Sequence, residues 1–179
     1  MKYDGTNLKE VLEAHKRWIK ESEGWTEEDR ADLNGADLRR ADLTGAYLNG
    51  AYLRMADLTG AKNVPYVPFA CPDSGAFTAW KTCASENGRV IVKLLIPEDA
   101  KRLSSTGRKC RASKAEVLEI QTVDGELLEN VKAWSMHDNT FTYEVGKTVE
   151  PKKPFCEDRW QECESGIHFF INRQEAVNY

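Results

Sequence analysis

From Ala31 to Gly60 the chain reads ADLNG ADLRR ADLTG AYLNG AYLRM ADLTG, six consecutive units with one five-residue period. Each unit opens on alanine (Ala31, Ala36, Ala41, Ala46, Ala51, Ala56) and carries leucine third (Leu33, Leu38, Leu43, Leu48, Leu53, Leu58). A period of five suits neither a helix stripe nor an alternating strand. The block must therefore be read as a repeat before any element is assigned to it. A seventh unit, AKNVP, keeps only Ala61.

Units that run small residue, Asp or Asn, Leu, small polar or basic residue, variable residue resemble the pentapeptide-repeat family. The resemblance implies a right-handed quadrilateral β-helix with four units per coil, the alanine and the leucine facing inward. Small and large residues in fixed alternation fill a narrow core without voids. Tyr47 and Tyr52 depart from the pattern where an acid or amide is usual. They are expected to lie outside, covering an edge where another segment packs.

Some long members of that family imitate duplex DNA and inhibit DNA-handling enzymes, so a DNA-mimic inhibitor is one function to weigh. Length speaks against it. Six units make about one and a half coils, about 7 Å tall at a strand spacing of roughly 4.8 Å, which is the rise of about two base pairs. Charge agrees, since Asp32, Asp37, Asp42 and Asp57 are nearly balanced by Arg39, Arg40 and Arg54.

Outside the repeat, Asn7 with Glu10 is a capping box. It predicts a helix that starts at Leu8 and runs about three turns, with Leu8, Val11, Leu12, His15, Trp18 and Ile19 on one face. This helix is expected to cap the repeat, and His15 to be a structural residue with a backbone partner. Gly24 and the acids Glu27, Glu28 and Asp29 lead into the first unit. Beyond the repeat, Pro65, Pro68 and Pro72 make a stiff connector.

The remaining chain changes character. Strands are predicted at 76–82, 89–96, 115–122, 141–145 and 167–171. Pro97 starts a helical turn, Asp124-Gly125 supplies a hairpin turn, and Asn172 with Glu175 caps a terminal helix over 173–179. The expected fold class is mainly β with α: a short right-handed β-helix (31–65) capped by an N-terminal helix (1–30), followed by an α+β domain (66–179). Lys109–Ile120, Tyr143–Val149 and Glu162–Tyr179, with Gly166–Phe170 the most specific part, resemble an uncharacterised domain that accompanies such repeats in bacteriophage and bacterial proteins. The opening NLKEVLEAHKRW is similar to the leader of such repeats. The resemblance carries no activity; it implies a phage or prophage origin and makes interference with a host plausible.

Composition narrows the classes. Hydrophobic residues are 41% and charged residues 30%, with a formal charge of −4. That mild charge gives no reason to expect bulk nucleic-acid or membrane binding. No apolar run approaches the roughly 18 residues of a bilayer span, and no signal-peptide core opens the chain. Five irregularly spaced cysteines suit reduced thiols, so the expected location is the bacterial host cytosol.

Three groups of residues could carry chemistry. Lys101, Arg102, Arg108, Lys109, Arg111 and Lys114 surround Ser104, Ser105, Thr106 and Gly107, a composition suited to a nucleotide or phosphate ligand. It lacks P-loop spacing, and such basic loops are more often solvated surface. Cys71, Cys83, Cys110, Cys156, Cys163 and His168 include no close pair of the kind that announces zinc, so no metal and no cofactor is assigned. Cys163 with His168 or His137 has the residue types of a thiolate and its base, but reach decides such a pair, and no catalytic residue is assigned. The expected function is a non-enzymatic interaction protein that binds a host protein through its C-terminal domain, by an exposed patch drawn from Trp80, Trp134 or Trp160. A nucleotide- or phosphate-ligand protein or enzyme using the basic loop is the alternative.

Overall fold

A computed structural model describes residues 7–20, 30–48 and 51–179. It is mainly β, with a short N-terminal helix and antiparallel sheets. The chain divides into two compact units. The first is Met1–Pro68 together with Asp158–Glu162, and the second is Phe69–Glu157 with Cys163–Tyr179. Gly24, Glu27, Glu28 and Asp29 lie outside the described residues.

In the first unit, helix α1 (Leu8–Lys20) begins where Asn7 Oδ1 accepts the Glu10 backbone N–H at 3.2 Å. Its apolar face joins a core built from the repeat: Val11 packs with Ala31, Leu33, Ala36, Leu38 and the later alanines and leucines. His15 is fully buried, and its Nδ1 accepts the Ala31 N–H at 3.2 Å while its ring stacks on Trp18. The expected backbone partner of the imidazole is therefore the first residue of the repeat.

Each five-residue unit is a turn with a defined part for every position. The Leu carbonyl accepts the N–H of the next unit's Ala, as from Leu33 to Ala36 and from Leu38 to Ala41. The second-position Asp caps this turn: Asp32, Asp37, Asp42 and Asp57 each accept the backbone N–H two residues on. The fifth residue sits at positive φ whether it is glycine (Gly35, Gly45, Gly60) or not (Arg40 at 59°, Met55 at 62°). Positive φ at that third turn position alone is the pattern of a type II turn. Parallel bridges then join residues twenty apart: Asp32 to Tyr52, Asp37 to Asp57 and Asp42 to Lys62. Lys62 thus keeps the register although its unit has lost the consensus.

Tyr47 and Tyr52 point outward and hold cations. Lys16 and Lys20 of α1 lie over the Tyr47 ring, and Arg30 lies 4.0 Å from the Tyr52 centroid. From further along the chain, Arg159 Nη1 donates to the Val67 carbonyl and Trp160 packs against the repeat core.

The second unit carries the strands β1 (Phe77–Ser85), β2 (Gly88–Ile96), β3 (Arg102–Ser104), β4 (Cys110–Ala112), β5 (Ala115–Thr122), β6 (Ala133–Ser135), β7 (Thr142–Tyr143), β8 (Thr148–Val149) and β9 (Ile167–Phe169), and ends in helix α2 (Arg173–Val177). Six strands form an antiparallel sheet in the order β7-β6-β1-β2-β5-β8, and β3-β4-β9 form a second. β1 pairs with β2 along its whole length, and β2 pairs with β5. Elsewhere the expectations need correction. The strand predicted at 141–145 is only β7, the one at 167–171 is only β9, and β3, β4, β6 and β8 are not among the predicted strands. Pro97 opens a single turn, its carbonyl accepting the Ala100 N–H at 3.0 Å. The Asn172–Glu175 capping box is present, but α2 stops at Val177.

The core of this unit lies on one face of the large sheet, from Ala79, Cys83, Val90, Val92, Leu94 and Ile96 to Ile167 and Phe169. α2 covers part of the other face, its Ala176 carbonyl accepting from the Thr82 hydroxyl. Among the described residues no helix is long and apolar enough to cross a membrane.

Candidate functional site

The second unit contains a cleft of about 740 Å³, and strand pairing explains where it opens. β1 pairs with β2 along its whole length on one side. On its other side β6 pairs only with Cys83–Ser85, while Phe170 bridges only to Trp80. The neighbours of β1 therefore part at Lys81 and Thr82. The walls come from Lys109, the His137–Tyr143 segment, Pro151–Lys153, Cys163–His168 and Tyr179, and Lys81 lies among the lining residues.

Lys81 is the anomaly of this cleft. Side chains alternate across a strand, so Lys81 shares the row of Ala79 and Cys83, both fully buried, and stands opposite Val92 on β2. Its Nζ donates to the His168 carbonyl at 3.1 Å and lies 5.9 Å from the Tyr143 ring centroid. Among the described residues no carboxylate pairs with it. Lys81 is partly buried; desolvation pushes the amine's pKa below its ordinary value, attraction to Cys83 opposes this, and repulsion from Lys109 adds to the lowering. Burial likewise raises the neighbouring Cys83 thiol to about 12 and the Tyr143 phenol well above its usual range.

The rest of the lining is cationic and aromatic. Lys109, Lys152 and Lys153 join Lys81 against the carboxylates Asp138 and Glu164. Asp138 is tied to Lys152 at 2.7 Å, and hydrogen bonds from Lys152 first, then Thr140, hold its pKa at about 2. Lys109 Nζ reaches Cys163 Sγ at 3.6 Å and stands 6.0 Å from the Tyr179 ring centroid. Such a cleft suits an anion with an apolar body: cations for its acid group, and Phe141, Tyr143 and Tyr179 for the rest.

The six cations of the basic loop go to different places. Lys101 pairs with Glu157, Arg108 with Glu175 at 2.7 Å, and Lys114 with Asp99. Arg102 donates to the carbonyls of Gly75, Pro97, Glu98 and Ala100. Arg111 is 2% exposed and belongs to the packed interior. Lys109 alone of the six lines the cleft.

The sulfur groups separate too. Cys71, Cys83 and Cys110 are buried, and a hydrogen bond with Cys71, then burial, raises the Cys110 pKa. Cys163, His137 and His168 do meet on the cleft, although the hydrogen-bond partner of Cys163 Sγ is Lys109 and not an imidazole. Among the described residues no group of three His, Cys, Asp or Glu side chains is placed to hold a metal ion. Lys81, Lys152 and Lys153 were missed from the sequence. The signal for Lys81 was available, because Phe77, Ala79, Lys81 and Cys83 alternate along a predicted strand and put a lysine in its apolar row.

Replacing Lys81 with methionine is expected to stabilise the fold at neutral pH, because it removes a desolvated cation from the apolar row of β1. The sign with pH follows from proton binding. Above the lowered folded pKa and below the ordinary 10.5, the unfolded chain carries the Lys81 proton and the folded chain does not. Wild-type stability therefore gains as pH rises through that window, and the advantage of Lys81→Met shrinks towards pH 10.5. Cys83 acts oppositely, losing stability between 9.0 and about 12. It does so in both proteins, so it largely cancels in the comparison. Urea titrations of the two proteins across pH check this; an advantage that stays constant would show that Lys81 titrates normally.

The fold combines a repeat unit and a mainly β unit that contains this cleft. A model of a family of unknown function (DUF5758) matches residues 67–176, and the chain belongs to that family. Residues 29–62 match pentapeptide repeats (8 copies). No curated protein and no solved structure matches the chain.

Proposed function

We propose that the Phe69–Tyr179 domain is a binding module for a small organic anion, received in the cleft around Lys81 and Lys109. The observation that carries this reading is Lys81 itself. A cation on the apolar row of a central strand, without a carboxylate, costs stability, and a ligand's negative charge supplies what the fold omits. Residues that lower stability in this way concentrate at functional sites. The macromolecular reading had relied on Trp80, Trp134 or Trp160 forming an exposed patch; all three are partly buried. A host-derived partner, a phage origin and a cytosolic location stay compatible with a ligand-binding module but lend it no support.

The same proposal gives the repeat a structural part. Residues 31–62 form about one and a half coils of right-handed quadrilateral β-helix. The twenty-residue spacing of the three parallel bridges supports this, since it equals four units. In this reading the repeat is a scaffold, its acids occupied in capping its own turns.

The test is calorimetric titration of the full chain, at low salt, with pyruvate, benzoate, a phosphate monoester and a sulfonate. At least one is expected to bind saturably and to lose tenfold or more in affinity in Lys81→Met and in Lys109→Met. A bound ligand at a hundred times its dissociation constant would add about 2.7 kcal/mol of stability, which thermal denaturation reads independently. If no anion binds, or binding survives both substitutions, the proposal is overturned.

A further inference from the structure

We infer that the cleft holds its ligand covalently: the Lys81 side-chain amine condenses with the carbonyl carbon of a small oxo acid to form an imine. This rests on the anion-binding reading of the same cleft and goes beyond it by naming the ligand class and the bond.

The argument starts from what Lys81 Nζ is given to bond with. An ammonium has three N–H donors and no lone pair, whereas a neutral amine has two donors and one lone pair. In the structure Nζ makes one hydrogen bond, to the His168 carbonyl at 3.1 Å, and faces a tyrosine ring in place of a carboxylate. The ring attracts a cation, but with no carboxylate to hold the charge, desolvation on the apolar row of β1 favours the neutral amine, whose lone pair is then available to an electrophile in the cleft. The lowered pKa agrees, since desolvation next to another cation is the established way of making a lysine nucleophilic near neutral pH. The nucleophile is also positioned. β1 is held on both sides of Lys81 by the bridge at Trp80 and the pairing at Cys83, so the stem emerges from a fixed backbone.

A simple aldehyde would use only this amine. The cleft offers more, because Lys109 supplies a second cation whose hydrogen-bond partner is the Cys163 sulfur and not an acid. A ligand that carries a carboxylate beside its carbonyl engages both lysines, one by charge and one by bonding. In the reaction the amine nitrogen attacks the carbonyl carbon and the C=O π bond becomes a hydroxyl. That hydroxyl then leaves as water with a proton, and the C=N bond forms. Nothing is oxidised or reduced. His137 on the cleft wall is an imidazole able to handle the proton.

The experiment incubates the full chain with glyoxylate and then with borohydride, which converts an imine to a stable secondary amine. Intact-mass and peptide mapping should show one reduced adduct per chain, on the peptide containing Lys81. The adduct should be absent in Lys81→Met and in Lys81→Arg, and need at least tenfold more glyoxylate in Lys109→Met. Adducts spread evenly over surface lysines, or an adduct that persists in Lys81→Met, would overturn the inference. Calorimetric binding of glyoxylate without a trapped adduct would overturn the imine while leaving the anion cleft standing. Absence of both binding and adduct, with the other anions also unbound, would remove the two together.

Discussion

Arg111→Ala is expected to cost the second unit about 3–5 kcal/mol, the range for truncating a large buried side chain or breaking a buried charged contact. Arg111 lies in the middle strand of the smaller sheet, opposite Leu103 on one side and His168 on the other. Its stem is walled in. A Cβ built on Gly166 would stand 3.0 Å from Arg111 Cβ, 3.2 Å from its Cδ and 3.3 Å from the Phe155 ring, and the guanidinium carbon lies 5.8 Å from that ring's centroid. Alanine would open a cavity beneath Gly166 that a strand on either side cannot close. Arg111→Met keeps the stem and should recover more than half of the loss, because the packing and not the charge supplies most of the stability. Gly166→Ala fails for the opposite reason, overpacking, and should cost about 1–3 kcal/mol. Combined with Arg111→Ala it should still cost nearly the sum, since alanine keeps the Cβ that stands 3.0 Å from the new methyl and relieves only the Cδ contact. Guanidinium titrations of the four proteins followed by circular dichroism decide the matter. Equal losses in Arg111→Ala and Arg111→Met would show that the guanidinium, and not the stem, holds this sheet.

That result bears on how much a sequence discloses. Arg111 sits in a run of six basic residues, and their shared charge is plain in the chain. Their fates are not, because the partners that separate them, Glu157, Glu175 and Asp99, lie before or far after the run. The repeat was legible from its period, as were α1 from its cap, β2 from its long apolar run, and β1 and β5 from their alternation. β6, β7 and β8, of two or three residues, are too short to show any period. The cleft needed exactly those strands to be seen, since its opening depends on where β6 stops beside β1. The repeat also hid one of its own rules. Its fifth position looks variable because Arg40 and Met55 stand there, yet among the described residues Gly35, Arg40, Gly45, Met55 and Gly60 all take a positive φ, where glycine is at ease.

Leu38→Ala is expected to destabilise the first unit by about 2–5 kcal/mol, and Leu48→Ala by clearly less. The difference comes from how few sides of so short a coil are stacked. Leu38 is 1% exposed, and its N–H donates to the Asp57 carbonyl beside Leu58, itself fully buried. The first, second and third units each have a partner twenty residues on, in the fifth, sixth and seventh. The fourth unit, which holds Leu48, shows no such bridge among the described residues, and Leu48 is 5% exposed. Removing three carbons at Leu38 therefore opens a void against the stacked unit that carries Leu58, while the wall at Leu48 has fewer neighbours to lose and more room to relax. Native-state hydrogen exchange is the suitable readout, because it follows the Leu38, Asp57 and Lys62 amides without interference from the second unit. Their exchange should speed up by about thirtyfold or more in Leu38→Ala, as a loss of 2 kcal/mol or more implies. Exchange that is as fast in Leu48→Ala would mean that the fourth unit is stacked as firmly as the others. Exchange unchanged in Leu38→Ala would mean that the coil is held by its turn hydrogen bonds and Asp caps alone.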